Sequence, residues 1–473
     1  MYDYAVVGSG IGGSAIAASL GAKGKKVALF EKEPYLGGAS STFKRRGYTY
    51  NTGATTLAGY QDGFVVKEIL DEIGCELNLI KTDPTIVIIQ GDKITPRYQD
   101  FERFFEAVQT NYPHAKNREF WELVAIINRD FFKMQGHYYS NKNLYEKMKS
   151  LVTFLPLLKK FSKYLFMSAH EYINKHFAGI DEEYRVFMEA QIRIVAQAEL
   201  KDINFFTAAI ALSYTFNDNY YAVGGLGKVF DAMSAHVGDI YKSTQVLHIQ
   251  KYKDYFEIFT KKEIYKAKKV ILNTTIYESG MLFRDEEIKD YFAKYKKLDN
   301  HQSSFMLYMS IRSDKKFEHH YQIIQKENFV HTLSNALFVS FSDASDKVIN
   351  RGGEYSITAS IHTDTRFWED EKKYKAQKNE LKDLLFKTIV DILQIPHDSV
   401  LDCFAATPKT FKRYINRSQL GGNAMTMKNL LPFMPSNDTK IKGLYSVGDS
   451  VYAAQGWPGV MMGVKNLKKL LHV

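Results

Sequence analysis

Tyr4-Ala5-Val6-Val7-Gly8-Ser9-Gly10-Ile11-Gly12-Gly13 joins a short apolar run to a glycine-rich turn, and residues 14–23 beyond it are alanine-rich and free of proline. The apolar run has the length and character of a strand buried on both faces. Gly24 lies just past the alanine-rich stretch, where a helix would end. Residues 26–30 form a second apolar run, closed by Glu31. Strand, turn, helix, strand and acid in this order are the pattern of a dinucleotide-binding unit.

Each glycine has a mechanical role in that reading. Gly8 permits the tight turn, Gly10 lets backbone N–H groups approach a pyrophosphate without a Cβ in the way, and Gly13 lets the helix lie close on the strand. Ile11 and Gly12 open the helix, whose N-terminus faces the phosphates with partial positive charge. Glu31 stands 23 positions after Gly8, where a carboxylate can accept bonds from both hydroxyls of a ribose. The same carboxylate argues against a 2′-phosphate, because like charges would meet.

The next residues favour FAD over NAD. Gly37-Gly38-Ala39-Ser40-Ser41-Thr42 sets two glycines shortly after the acid, and residues 47–55 read as a strand returning to a glycine turn at Gly53. A simple NAD-binding chain passes into another βα unit here; a second glycine pair instead lets the backbone wrap the flavin end of a longer cofactor. Near the C-terminus, residues 443–447 form a strand running into Gly448-Asp449, and Gly456-Trp457-Pro458-Gly459-Val460 opens a last helix. Asp449 can accept a bond from a ribityl hydroxyl. The N–H groups after Pro458 can stabilise negative charge at the edge of a reduced flavin.

At 473 residues the chain is long enough for two or three domains and a large core. Its apolar share of 45% and charged share of 25% are those of a soluble globular protein. The aromatic content of 14% suits a large apolar cavity, and a codon bias toward Lys, Ile, Asn and Tyr would produce it equally. Cys75 and Cys403 form no motif, which points to a reducing compartment. No leader precedes the first strand and no apolar run reaches the roughly 18 residues of a membrane span, so a cytoplasmic protein is expected. The net charge of +10 is spread through the chain without a recognition motif, so nucleic acid is not expected as a partner. No metal-binding spacing appears.

From about residue 100 to 201 the pattern turns helical, with apolar residues at three- and four-residue spacing around Phe104, Val108, Trp121, Val124 and Ile127. Within it, residues 151–167 mix large apolar side chains with lysines. Such a segment can lie on an anionic bilayer at the inner face of the membrane, or form a buried lid whose lysine stems reach solvent. Pro156 reads as the first residue of a new helix. The α/β pattern resumes at 215–280; residues 305–311, 336–341 and 355–361 then read as strands, and 372–393 as a charged amphipathic helix. The expected fold class is α/β: a Rossmann-like, FAD-binding domain of glutathione-reductase type interrupted by a mixed α+β substrate domain with a helical lid. Residues 1–85, 215–280 and 426–473 are assigned to the first, 86–214 and 281–425 to the second.

The two ends resemble the flavoprotein family of phytoene desaturases, carotenoid isomerases and retinol saturases. Residues 443–463, GLYSVGDSVYAAQGWPGVMMG, are similar to that family's closing signature, and Thr407-Pro408-Lys409-Thr410-Phe411-Lys412-Arg413-Tyr414 with Gly421-Gly422 looks like the segment before it in carotenoid isomerases. Tyr112-Pro113-His114 and Gly224-Gly225-Leu226-Gly227 resemble the same branch. The likeness implies non-covalent FAD, a long apolar tunnel, peripheral membrane attachment and a lipid-like substrate. Candidate cofactor contacts are Gly8, Gly10, Ile11, Gly12, Gly13, Glu31, Lys32, Gly37, Gly38, Ala39, Ser40, Gly53, Val246, Gly448, Asp449, Gly459 and Val460. The chain departs from the family at Asn51, where an acid is common, at Ala453-Ala454-Gln455, where many members have a Pro-Gly pair, and at Val464-Lys465-Asn466, where small apolar residues are usual.

A flavin can carry a hydride between an allylic carbon and its ring with little help, so the protein's task is position and electrostatics. No catalytic triad or paired-carboxylate motif appears. If an acid or base is needed, His331, His362, Arg366, Arg413 and Tyr414 are candidates by residue type alone. The leading reading is an FAD-dependent desaturase, saturase or isomerase acting on C=C bonds of a long isoprenoid. The alternatives are an amine oxidase-like flavoenzyme and a non-catalytic FAD-binding scaffold. No second glycine fingerprint exists for NAD(P)H, which leaves it only a transient reductant's role.

Overall fold

The structure, a computed structural model, describes residues 1–134 and 138–473. Its first seven-stranded sheet is assembled from distant pieces of chain. Tyr2–Val7 lies parallel to Val27–Phe30 on one side and to Ile264–Leu272 on the other, so that Val6 stands opposite both Leu29 and Ile271. Asp239–Tyr241 extends the parallel set beyond Val27–Phe30, and Leu444–Ser446 pairs with the end of Ile264–Leu272. Phe256–Thr260 and Val246–Lys251 complete it as an antiparallel meander. Strands covered on both faces must be apolar throughout, and Val27–Phe30 is buried at all four positions. Helices Ile11–Ala22, Gly227–Ser234 and Gly456–Leu471 cover one face.

The second sheet runs Val400–Ala406, Gln302–Arg312, Glu354–Asp364, Ala336–Phe341, His320–Ile324, Ile86–Gln90, Lys93–Arg97. It is antiparallel except where His320–Ile324 meets Ile86–Gln90. Its side chains alternate faces, as a period of two requires. Phe305, Leu307, Met309 and Ile311 pack with Leu381, Leu385 and Ile389 of helix Glu371–Leu393. Met306 and Tyr308 turn the other way and meet Tyr50. Tyr308 Oη donates to the Thr52 carbonyl at 2.5 Å, and Tyr50 Oη lies 2.6 Å from Ser310 Oγ. This face of the sheet is thereby held against the strand-and-turn segment after the first glycine motif.

Between the sheets the chain forms helices Phe101–Asn111, Asn117–Lys133, Leu144–Leu165, Ala169–His176, Glu182–Ala196 and Phe205–Leu212. Asp100, Asn143, Ser168, Asp181 and Asn204 cap five of them by accepting a first-turn N–H. Their apolar faces build an aromatic core around Phe104, Trp121, Phe120 and Phe187.

Two expectations are corrected. Pro156 lies inside the single helix Leu144–Leu165 rather than opening a new one. The carbonyl that loses its partner belongs to Val152, 62% exposed, so solvent can satisfy it. Phe283, Ile288, Phe292 and Leu298, assigned by sequence to the substrate region, pack instead on the first sheet with Val7, Phe30 and Leu272. Their helix Glu286–Ala293 is amphipathic, and only that sheet's open face offers it a partner.

Candidate functional site

Tyr2–Val7 ends in Gly8, whose φ of +94° no side chain adopts comfortably. Helix Ile11–Ala22 starts two residues later from Gly10 with no side-chain cap, so its first N–H groups are available to an anion. Asn273, just beyond strand Ile264–Leu272, closes the turn from the other side. A Cβ at Gly10 would lie 2.6 Å from Asn273 Nδ2; at Gly13, 3.0 Å from Asn273 Cβ and inside 3.0 Å of the Gly8 carbonyl oxygen. A Cβ at Gly12 would meet Val447 Cγ2 at 2.9 Å, and one at Gly448 would meet Asn273 Oδ1 at 3.0 Å. The first and last glycine motifs, more than four hundred residues apart, thus share one side chain.

Glu31 closes its strand as expected, and its carboxylate is held from behind. Oε2 accepts from Ser9 N at 3.1 Å and Ser9 Oγ at 2.5 Å, and Oε1 from Glu33 N at 2.9 Å. Gly37 N donates to the Ser9 carbonyl at 3.0 Å, folding the second glycine pair back onto the first turn. Gly37 (φ +110°) and Gly38 (φ +54°) lead into the short turn Gly38–Ser40. Ala54 N donates to the Ala39 carbonyl at 3.2 Å, while a Cβ at Gly53 would approach the same oxygen to 2.9 Å. Farther along that loop, a Cβ at Gly59 would lie 3.2 Å from Pro458 at the start of the last helix. Residues 52–59 therefore run from the second glycine pair to Gly456–Leu471, which also begins without a side-chain cap.

Asp449 Oδ2 accepts from Arg417 Nη2 at 2.9 Å, and Arg417 Nε donates to the Gln419 carbonyl at 2.7 Å. Burial pulls the Arg417 pKa down, but the Asp449 charge and bond, with Tyr277 and Glu278, hold it above the usual value. Gly459 and Val460 are the fourth and fifth residues of the last helix, and Val460 is buried. Val246 is buried in the first sheet's core beside Val7 and Phe30. Lys32 reaches elsewhere: its Nζ donates to the Arg413 carbonyl at 2.5 Å and to Asn416 Oδ1 at 2.9 Å. That ammonium ties the residue after Glu31 to the end of helix Pro408–Ile415.

The five acid–base candidates are not gathered. His331 pairs with Glu380 at 2.9 Å, Arg366 with Asp364 at 2.5 Å, and Tyr414 is exposed beside Arg413. His362 is half-buried, its Nδ1 inaccessible and unpartnered among the described residues, and desolvation with the charge of Arg193 lowers its pKa to about 4. The unfolded chain would bind that proton first, so stability is complete above the ordinary histidine value near 6.5 and falls as pH drops toward 4. Urea titrations should show about 2 kcal/mol lost at pH 5 relative to pH 7.5 from this residue, and His362→Leu should flatten that part of the slope. An unchanged slope in the variant would remove His362 as its source.

Asn273, Arg417 and the pair His319–His320 were missed by sequence reasoning. Asn273 at a strand end before a second polar turn was the nearest to a signal.

The arrangement fits a dinucleotide: the glycines let the first turn, Asn273 and the Gly448 turn pack at distances that a Cβ would forbid, two helices start without a side-chain cap, and Glu31 and Asp449 each stand beside one of the two glycine turns. Residues 6–73 match the family model described as an NAD(P)-binding Rossmann-like domain. The chain is 25% identical to prolycopene isomerase of Daucus carota over 491 aligned positions, 96% of this chain and 77% of that one. It is 24% identical to a 4,4′-diapophytoene desaturase of Methylomonas over 51% of this chain and 47% of the other. The crystal structure of an oxidoreductase from Methanosarcina mazei superposes with a TM-score of 0.65 at 18% identity, covering 98% of this chain and 99% of that one.

Proposed function

We propose that this chain, a relative of the carotenoid isomerases and phytoene desaturases, is an FAD-dependent enzyme that desaturates, saturates or isomerises C=C bonds of a long apolar polyene. The observation that carries the reading is the meeting of Gly8, Gly10, Gly13 and Gly448 around Asn273, with Glu31 bonded to Ser9 of the first turn and Asp449 following Gly448 in the last. Relationship to a prolycopene isomerase over nearly the whole chain supports the substrate class. In this reading residues 1–85, 215–298 and 426–473 hold the cofactor and the remainder holds the substrate.

Bound FAD supplies hydride or electron transfer at its ring. The chain does the rest. The uncapped N-terminus of Ile11–Ala22 would hold the pyrophosphate, and Glu31, already held by Ser9, would take the ribose hydroxyls. Asp449 keeps one carboxylate oxygen on Arg417 and offers the other to the ribityl chain. Gly459 and Val460, near the N-terminus of the last helix, would stand beside the flavin edge, where the helix's partial positive charge would stabilise the reduced ring. NAD(P)H serves at most as a transient reductant.

The purified protein should be yellow, release FAD on denaturation, and convert one or more of a panel of C30 and C40 polyenes presented in liposomes. Colourless protein that cannot be loaded with FAD refutes the reading. Hydrogen peroxide released with amines would favour the amine oxidase alternative.

Among the described residues no helix is long and apolar enough to cross a membrane. Helix Leu144–Leu165 nevertheless exposes an apolar stripe. Leu144 (76%), Tyr145 (73%), Met148, Leu151, Val152 and Leu155 share its outer face, while Phe154, Leu157 and Phe161 are buried on the inner one. Lys147, Lys149, Lys159 and Lys163 are exposed around it. This combination is that of a helix lying in an anionic bilayer surface, where a polyene would be collected. Leu151→Glu with Leu155→Glu should lower binding to phosphatidylglycerol vesicles at least about tenfold in flotation, two large apolar side chains being lost from the lipid. FAD content should not change; undiminished flotation would remove this face from the proposal.

A further inference from the structure

Thr56, half-buried, sets its hydroxyl in front of two imidazoles, His319 buried and His320 half-buried. It lies on the loop 52–59, between the second glycine pair and the last helix, on the side of the cradle that faces the second sheet. Thr56 Oγ1 is 3.2 Å from His319 Nε2 and 3.1 Å from His320 Nε2. Its neighbour Thr55 Oγ1 is 2.7 Å from His320 Nε2 and 2.9 Å from Ser340 Oγ. The two rings stack with centroids 4.4 Å apart.

One tautomer is settled by chemistry. His319 Nδ1 lies 2.6 Å from the Phe341 carbonyl oxygen. A carbonyl can only accept, so Nδ1 carries the proton and Nε2 is left as an acceptor for the Thr56 hydroxyl. Desolvation holds both histidines below the ordinary value, and His319 lowers His320 further. Asp346, linked to His319 through the Tyr221 ring, is already engaged by Tyr221 Oη at 2.5 Å and Gly224 N at 2.7 Å; Asp343 acts on His319 only through space. Behind the rings is a cavity of about 10 Å³ lined by Thr55, Tyr221, His319, Ser340, Ser342 and Thr358, a size that admits about one water. Hydroxyl, imidazole and water-sized cavity form a continuous polar line from the half-open loop into the protein. Burying two histidines costs desolvation that an apolar pair on this strand would avoid.

We propose that Thr56, backed by His319 and His320, carries the proton that a polyene carbon gains or loses when its double bond is altered. The inference rests on the function proposed above. In the desaturating direction the C–H bond beside the carbon giving up hydride breaks, and its electron pair becomes the new C=C bond. The released proton goes to Thr56 Oγ1 as that hydroxyl's own proton passes to His319 Nε2; the hydride's two electrons go to FAD, the oxidant. Saturation runs the same transfers in reverse. Isomerisation uses a proton added at one carbon and removed again, with no net oxidation. His320 links the line through Thr55 and Ser340 to the cavity.

The test uses full-length, FAD-loaded protein and whichever polyene the wild type converts. Thr56→Val should lower kcat at least about 100-fold, within the range for a lost acid–base group, with KM and FAD content unchanged. Thr56→Ser should restore kcat to within about fivefold, since only the hydroxyl is required. His319→Gln, which keeps a hydrogen-bonding group but cannot take up a proton at neutral pH, should behave like Thr56→Val. If Thr56→Val keeps kcat within about threefold of wild type, or if Thr56→Ser fails to rescue it, the relay is wrong while the enzyme assignment stands. Should His319→Gln not fold, the two Thr56 variants decide alone. Wild-type protein that binds no FAD or converts no polyene fails at the earlier reading and takes this inference with it.

Discussion

Gly13→Ala should abolish cofactor retention. A methyl group at that position would lie inside 3.0 Å of the Gly8 carbonyl oxygen and 3.0 Å from Asn273 Cβ. Neither neighbour can yield cheaply, since one is backbone in a left-handed turn and the other is fixed by Asn273 N donating to the Val7 carbonyl at 2.9 Å. The helix must therefore back away from the strand, and overpacking of this kind costs about 1–3 kcal/mol or more. Because Gly8 and Gly10 shape the same turn, the displacement falls on the surface offered to the pyrophosphate. An affinity loss of at least about 100-fold is expected, since each 1.4 kcal/mol is about a factor of ten. Flavin absorbance after gel filtration measures it. Gly238→Ala is the matched control: its methyl group would meet only the Val27 carbonyl at 3.6 Å, an ordinary contact. Equal FAD content in Gly13→Ala and wild type would mean that the turn does not hold the cofactor.

Arg417→Met should lower both stability and cofactor affinity. The guanidinium and the Asp449 carboxylate are each about four-fifths buried, at 20% and 21% exposure. Removing one partner of a buried pair costs about 3–5 kcal/mol because the other charge remains; at this degree of exposure roughly 2–3 is expected. The loss is local to the cradle. Arg417 ties residues 417–422 to the Gly448-Asp449 turn, and the two chains are already so close that a Cβ at Gly422 would fall inside 3.0 Å of the Asp449 carbonyl oxygen. Combining Arg417→Met with Asp449→Asn should recover about 1 kcal/mol or more, since no unpaired charge is left. Urea denaturation of the single and double variants, with and without added FAD, separates the two effects. A double variant no more stable than Arg417→Met would show that charge pairing is not what the arginine supplies.

The dinucleotide turn was legible because its demands are local. Gly8, Gly37 and Gly448 adopt φ values of +94°, +110° and +122°, which glycine alone accepts without strain, so the residue type reports the backbone directly. The strands around them were legible for a similar reason: continuous apolar runs at residues 4–7 and 27–30 match burial on both faces. The helical block was legible from its spacing, yet Pro156 misled. A proline inside a helix and one at its first turn look alike until the exposure of the freed carbonyl is known.

What joins distant segments was not legible. Asn273 is one polar residue after an apolar strand, and only the parallel pairing of Ile264–Leu272 with Tyr2–Val7 brings it against Gly10 and Gly448. His319 and His320 meet Thr55 and Thr56 across more than 260 positions because the second sheet folds against the loop after Gly53. The Lys32 ammonium meets the end of helix Pro408–Ile415 across more than 380 positions. Sequence alone determined the nucleotide-binding turn, the strands feeding it and the helical insert, since those follow from backbone preference and hydrophobic period within a few residues. The tertiary structure alone decided which side chains close the cradle, which imidazoles stand behind it and which face of Leu144–Leu165 is bare. Those depend on sheet register and packing between remote segments, which leave no mark on the neighbouring residues.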